Sequence, residues 1–322
     1  MFLIRSVLFL LYFSIPFTAG AAVTSGDLPD GTLWYLHADL EQMRSAEPGQ
    51  NLYAWLDDEM FMEIEDEIGI DLGKEVNSVI AYSSASSGTV ILIEGPLRKE
   101  TQERVIAAAR IEGSVTDSAH KGKDYFLITD DDDSHDYGDG DRRQRDRKRH
   151  RSGEPLQDLE DGAYFSFALK NKLLVTGSEE QMKELLDSGG KLAGSSSHDG
   201  ALFVLTADRA FVQAGLNTNE IDHDEDDDWN STILRNTEQV ALTVAGVEDM
   251  ISIEAQLVST DPAMAQSLGG IANGLLSLQA FNSELDPEIK SLLLNTKIDV
   301  NDNVLSISTV ITPEVIIRTL DH

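Results

Sequence analysis

Apolar positions along the chain fall into short alternating runs and helically spaced stripes, and the order of these runs repeats. Gly31-Thr32-Leu33-Trp34-Tyr35-Leu36-His37-Ala38-Asp39 is matched without a gap by Gly200-Ala201-Leu202-Phe203-Val204-Leu205-Thr206-Ala207-Asp208. Ile91-Leu92-Ile93-Glu94 and Leu97 recur as Ile251-Ser252-Ile253-Glu254 and Leu257. Asn171-Lys172-Leu173-Leu174 recurs as Asp302-Asn303-Val304-Leu305, and each is followed by a helix start, at Ser178 and at Thr312-Pro313. Three matches in one order point to an internal repeat.

Each copy predicts the same elements. A strand opens it, at Leu33 to Leu36 or Leu202 to Leu205. Asp39 or Asp208 then sits at a helix N-cap, where a short carboxylate accepts free backbone N–H groups. A strand pair follows, Val79 to Ser83 with Thr89 to Glu94, and Val240 to Val244 with Ile251 to Leu257. Alternation through Ile251 to Ala255 gives one buried face. A helix comes next, Glu100 to Ala109 or Ala263 to Phe281. A hairpin turning at Asn171 or Asp302 closes the copy, since Asn and Asp tolerate turn backbones. In the first copy, helical spacing through Leu52 to Ile68 adds a helix that Gly69 and Gly73 are expected to end. The fold class is therefore α+β: an internally duplicated unit of mostly antiparallel sheet packed with helices, in two similar lobes.

The opening residues change the picture of where the chain works. Arg5 precedes an apolar run from Val7 to Phe17, and Ala19-Gly20-Ala21 has the small-x-small form of a cleavage point. That is the layout of a secretory signal peptide, and the run is too short to span a membrane. The expected organisation is a signal peptide at 1–22, a first copy at 23–190, a joint at 191–199 and a second copy at 200–322. No later stretch of the mature chain reads as a membrane span. The chain has no cysteine, which excludes disulfides, thiolate metal sites and a lipid-modified N-terminal cysteine. An exported, cysteine-free chain of this size points to a bacterial periplasm or the extracellular medium.

Charge narrows the partners. Acidic residues number 57 against 25 basic ones, a formal net charge of -32. Such a chain repels nucleic acid and anionic lipid. Much of the charge is concentrated in two loops. Residues 130–153 carry acids first and bases last, with almost nothing apolar to bury, so an insertion without fixed structure is expected. Its basic block is Arg142, Arg143, Arg145, Arg147, Lys148, Arg149 and Arg151, an interaction candidate for the second acidic loop or an external anion. Within residues 219–230 of the second copy, seven acids lie between Glu220 and Asp228. Asp131, Asp133 and Asp136 of the first loop, with Asp224, Asp226 and Asp228 of the second, are the candidates for loose calcium binding. Calcium takes several carboxylate oxygens, but neither loop has the EF-hand series.

No catalytic set is legible. Ser134-His135-Asp136 and Ser197-His198-Asp199 are adjacent triples, and consecutive side chains cannot line up as nucleophile, base and orienter. There is no G-x-S-x-G elbow, phosphate loop or zinc helix. His37 is replaced by Thr206 in the second copy, so the repeat does not require it. Glu94 and Glu254 recur, as polar sheet positions or as an acid and base paired across lobes. The duplicated pattern, with Ala-Asp after the opening strand and Asn-type hairpins, resembles uncharacterised exported bacterial proteins, a resemblance that implies no activity and no cofactor. The expected function is a non-catalytic exported binding or interaction protein for an unknown protein or small ligand. The alternatives are a calcium-responsive protein acting through the acidic loops, and a hydrolase with a cleft between the copies.

Overall fold

The computed structural model describes residues 31–62, 65, 70–84, 88–129, 159, 162–191, 200–212, 235–280 and 287–320. The expected signal peptide, nearly all of the joint and both charged loops lie outside them.

The described strands form a single 12-stranded sheet. They are β1 (Thr32–Asp39), β2 (Ser78–Ser84), β3 (Gly88–Glu94), β4 (Ser114–His120), β5 (Lys123–Thr129), β6 (Ala163–Ser166) and β7 (Lys172–Thr176), then β8 (Ala201–Asp208), β9 (Thr237–Val247), β10 (Met250–Ser259), β11 (Lys297–Asn301) and β12 (Val304–Ile311). Their spatial order is β11-β12-β10-β9-β8-β1-β2-β3-β7-β6-β5-β4. Every pairing between neighbours is antiparallel. The helices are α1 (Leu40–Ser45), α2 (Glu47–Leu56) running into a π-helical turn at Asp57–Phe61, α3 (Leu72–Glu75), α4 (Lys99–Glu112) and α5 (Glu179–Ser188). In the second half they are α6 (Pro262–Ala280), α7 (Pro287–Asn295) and α8 (Pro313–Leu320). The fold is mixed α+β, as the pattern predicts.

The two expected copies lie side by side in this sheet. Where a cleft between lobes is expected, β1 pairs directly with β8. In that ladder Leu36 faces Leu205, which are matched residues of the sequence repeat. The β1–β2 ladder slips register between Thr32 and Trp34, and the β8–β9 ladder slips between Ala201 and Phe203, again at matched positions. Asp39 Oδ1 accepts from the Gln42 backbone N–H at 2.8 Å, and Asp208 Oδ1 from that of Phe211 at 2.9 Å. Both N-caps therefore form. The hairpin residues Asn171 and Asp302 both take a left-handed backbone, at φ 60° and 55°.

Three local expectations are corrected. Gly95 N–H donates to the Asn171 carbonyl, whereas the corresponding corner of the second half uses Ser259 N–H and the Asn303 carbonyl. Glu94 therefore sits opposite Lys172 at the mouth of its hairpin, and Glu254 sits opposite Ser308 in mid-strand. The Ile-x-Ile-Glu match is out of structural register. Gly73 lies inside the short helix α3 rather than ending a longer one. The first half also gains the β4–β5 hairpin, where the second half has α7.

Alternation along the strands splits the interior into two clusters on opposite faces. One holds Trp34, Leu36, Ile91, Ile93 and Phe165 under α1, α3 and α4, which contribute Leu40, Met43, Leu72, Val105 and Ala109. The other holds Tyr35, Tyr82, Leu92 and Leu174 under α5, which contributes Met182, Leu185 and Leu186. No helix among the described residues is long and apolar enough to cross a membrane.

Candidate functional site

The end of the sheet that carries Thr32, Ser84, Gly88 and Thr176 also carries both insertion points. Thr32 pairs with Ser84, and Ser84 with Gly88. Val90 pairs with Thr176, and Thr176 with Tyr164, next to the start of β6. The β5–β6 pairing closes at Ile128 and Ala163, so the chain leaves for the first charged insertion at this end. Trp34 pairs with Ala207 and Asp208 with Gln239, so the second, acidic insertion leaves and rejoins at the same end. Five strand steps separate β6 from β8, roughly 24 Å at the usual spacing.

All thirteen candidate loop residues lie outside the described residues: Asp131, Asp133, Asp136, Asp224, Asp226 and Asp228, and the basic block from Arg142 to Arg151. So do Ser134, His135, Ser197, His198 and Asp199. Among the described residues no group of three or more His, Cys, Asp or Glu side chains is arranged to hold a metal ion.

The other polar residues singled out in the sequence are kept apart by the fold. Glu94 lies on β3 and Glu254 on β10, five strand steps from one another, so they cannot share a substrate as acid and base. Glu94 is paired with Lys172. Glu254 accepts from Gln256 Nε2 at 3.0 Å. His37 is half-buried on β1, opposite Ile80 and Val204.

Three polar clusters that the sequence pattern did not single out tie helices to one another or to the sheet. The first is the buried carboxylate of Glu75, 1% exposed. It accepts from the Arg98 backbone N–H at 2.9 Å, from Arg98 Nε at 2.8 Å and from Thr101 Oγ1 at 2.9 Å, and it is ion-paired with the Arg98 guanidinium. Burial pushes this carboxyl up, but the bonds from Arg98 and Thr101 outweigh it and hold it below the usual value. The contact fixes α3 against the start of α4. The chain has to pass closely here, since a Cβ on Gly95 would stand 2.1 Å from the Glu75 carbonyl oxygen.

The second cluster joins β5 to α5. The Tyr125 hydroxyl donates to Glu179, which also pairs with Lys183 at 3.0 Å. The bond to Glu179 raises the phenol, and the bond from Tyr125 lowers the carboxyl. In the third, Lys121 Nζ at 2.7 Å and His120 Nε2 at 3.2 Å meet Asp187, whose carboxyl both partners lower. Each cluster satisfies its own charges, as scaffold contacts do. A shallow hollow of about 550 Å³ beside α4 is lined by Glu103, Ile106, Ala107, Arg110, Ile111 and Phe126, and Arg110 is committed to Asp117 at 2.8 Å.

No protein-family model matches the chain, and no curated protein matches it either. Solved structures similar to it include three crystal forms of TP0453. Form III has a TM-score of 0.46 at 11% identity, covering 93% of this chain and 98% of that one. Form IV has a TM-score of 0.47 at 12% identity, covering 94% and 98%. Form I has a TM-score of 0.41 at 12% identity, covering 94% and 97%.

Proposed function

We propose that this is an exported, non-catalytic binding or interaction protein that holds two charged insertions, one carrying a basic block and the other an acidic run, at one end of its sheet. The observation that carries the reading is the shared end. The β5–β6 and β8–β9 connections both depart from it, and they contain the basic block and the acidic run. The separation of Glu94 from Glu254 supports the non-catalytic part. Arg142 is thirteen residues on from Thr129, a maximum reach of about 45 Å against the roughly 29 Å of the six strand steps from β5 to β8. The basic block can therefore meet the acidic loop of its own chain or an anionic partner. Single exposed ion pairs contribute little, so the block acts as a unit and weakens with salt.

The same reading takes the sheet as two copies of one unit. The facing pair Leu36–Leu205, the matched register shifts and the two aspartate caps support it. The signal-type segment at 1–22 and the absence of cysteine support export.

The test is crosslinking in the producing cell followed by affinity capture. Three forms are compared: the whole protein, a deletion of residues 130–153, and a form with the seven basic residues from Arg142 to Arg151 changed to Gln. A partner captured by the whole protein, lost in both variants and released by salt supports the proposal. Equal capture by all three removes the charged loop from the function.

A further inference from the structure

Helix α6 is the one described helix without a charged residue, 19 positions long in a chain that is 25% charged. Its buried side packs on the sheet through Ala265, Leu268 and Gly269, and a Cβ on Gly269 would stand 2.5 Å from Val300 Cγ2. Met264, Leu268, Ile271, Leu275 and Leu278 follow one another at steps of four, three, four and three, the spacing of a helix–helix seam. The seam starts against the sheet and runs out into solvent, with exposure rising from 8% at Leu268 through 40% and 57% to 71% at Leu278. Ser267, Gly270, Gly274 and Ser277 form a strip of small residues beside the apolar ridge, at the centre of the exposed face. A Cβ on Gly270 or Gly274 would meet nothing within 4 Å, so the fold itself does not require either glycine. Glycine is unfavourable inside a helix, and small residues four apart let another backbone approach closely.

We infer that α6 is a self-association surface, on which a second copy of this chain lays its own α6 antiparallel across Gly274. A two-fold axis at Gly274 sets the Leu278 ridge of each copy over the Gly270 notch of the other, and Ile271 over Ser277. Ridge and groove on one patch are what an isologous contact needs. Charge narrows the face on which two copies can meet. Two chains at -32 can approach only where neither buries a carboxylate, and α6 offers that face. A lipid surface is disfavoured, because interfacial helices carry basic residues on their polar side and α6 has none. One helix about 28 Å long covers less than the roughly 800 Å² per partner of a standard interface. Leu294 of α7, which packs against α6, is also exposed, at 67%, and the dimer is of low affinity.

Sedimentation of the purified protein tests this. The dimer fraction is expected to rise between about 1 and 100 µM protein and to increase with added salt, as repulsion between acidic chains is screened. Gly274→Leu and Leu275→Glu should both abolish it while leaving circular dichroism and melting unchanged or, for Gly274→Leu, higher-melting. Since the chain has no cysteine, Gly274→Cys should oxidise to a disulfide-linked dimer, and an exposed control such as Asp117→Cys should not. Deletion of residues 130–153 should leave this dimer intact, which separates its failure from that of the charged-loop reading. A protein monomeric at 100 µM and high salt would overturn the inference. So would a dimer that survives both α6 variants, or neutral-lipid vesicle binding that Leu275→Glu abolishes in a protein that stays monomeric.

Discussion

The two halves of the sheet differ in how they are closed. From β1 to β7, helices pack on both faces, and both clusters of buried side chains are centred there and extend into β8. Neither cluster reaches β10, β11 or β12. In that region α6 packs on the face of Leu305 and Val300, while the alternate positions of β10 and β12 are the half-buried Ser252, Glu254, Gln256, Ser306 and Ser308. What joins the halves is the β1–β8 ladder, reinforced where Pro48 of α2 stands over Gly246 and Asn51 Nδ2 donates to Glu314 of α8 at 3.3 Å. The first half is the stabilising platform, and the second is the half with surface left to offer.

Core truncation should show this asymmetry most strongly. Leu174 on β7 is fully buried beneath α5, beside Met182 and Leu186. Its counterpart three residues after the second hairpin turn, Leu305, is 6% exposed beneath the glycine-lined side of α6. Leu174→Ala should cost about 4 kcal/mol and Leu305→Ala about 2 kcal/mol, read as shifts of the urea midpoint at constant slope. Equal losses would mean that the second half is as tightly closed as the first.

Local signals in the sequence were legible wherever they act through the backbone. Asp39, Asp208, Asn171 and Asp302 do what their side chains allow within three or four residues. Strand register was not legible. A period of two lets Ile91-Leu92-Ile93-Glu94 match Ile251-Ser252-Ile253-Glu254 in sequence, while the turn-proximal bonds at Gly95 and Ser259 set the actual pairing. The edge strand β4, Ser-Val-Thr-Asp-Ser-Ala-His, was missed because an exposed edge needs no apolar alternation. The Glu75–Arg98 contact was missed because it joins residues 23 apart, and neither residue type marks a buried pair. The exposed seam of α6 was visible as a helix, but its exposure depends on which side meets Val300.

The Glu75 lock belongs to the first half and gives that half its own acid sensitivity. Its folded carboxyl titrates below the ordinary value, so its contribution is present above the unfolded pKa, near 4.5, and is lost as pH falls through the lowered folded one. Glu75→Gln leaves the Arg98 guanidinium without its counter-charge and should cost about 3 kcal/mol at neutral pH. Below the ordinary carboxylate range the gap between variant and parent should narrow. Hydrogen exchange at α4 should report the loss, while exchange at α6 stays unchanged. A variant destabilised equally at both helices would show that the halves unfold as one.

The smallest effect is the sharpest test of the proposed duplication. Asp39 caps α1 after β1, and Asp208 caps the helical turn at 209–212 after β8, with nearly equal bonds, 2.8 and 2.9 Å, to the third residue onward. The two strands face each other, and their caps sit at opposite ends of the central ladder. A cap is local, so its loss should not depend on how completely the neighbouring half is closed. Asp39→Ala and Asp208→Ala should each cost about 1 kcal/mol, and the double variant about 2 kcal/mol, because the sites are too far apart to couple. A calorimetric series at one pH resolves differences of that size. If Asp208→Ala costs less than a third of Asp39→Ala, the matched aspartates differ in energy although they agree in geometry. The likeness of the halves would then extend to backbone conformation and not to stability.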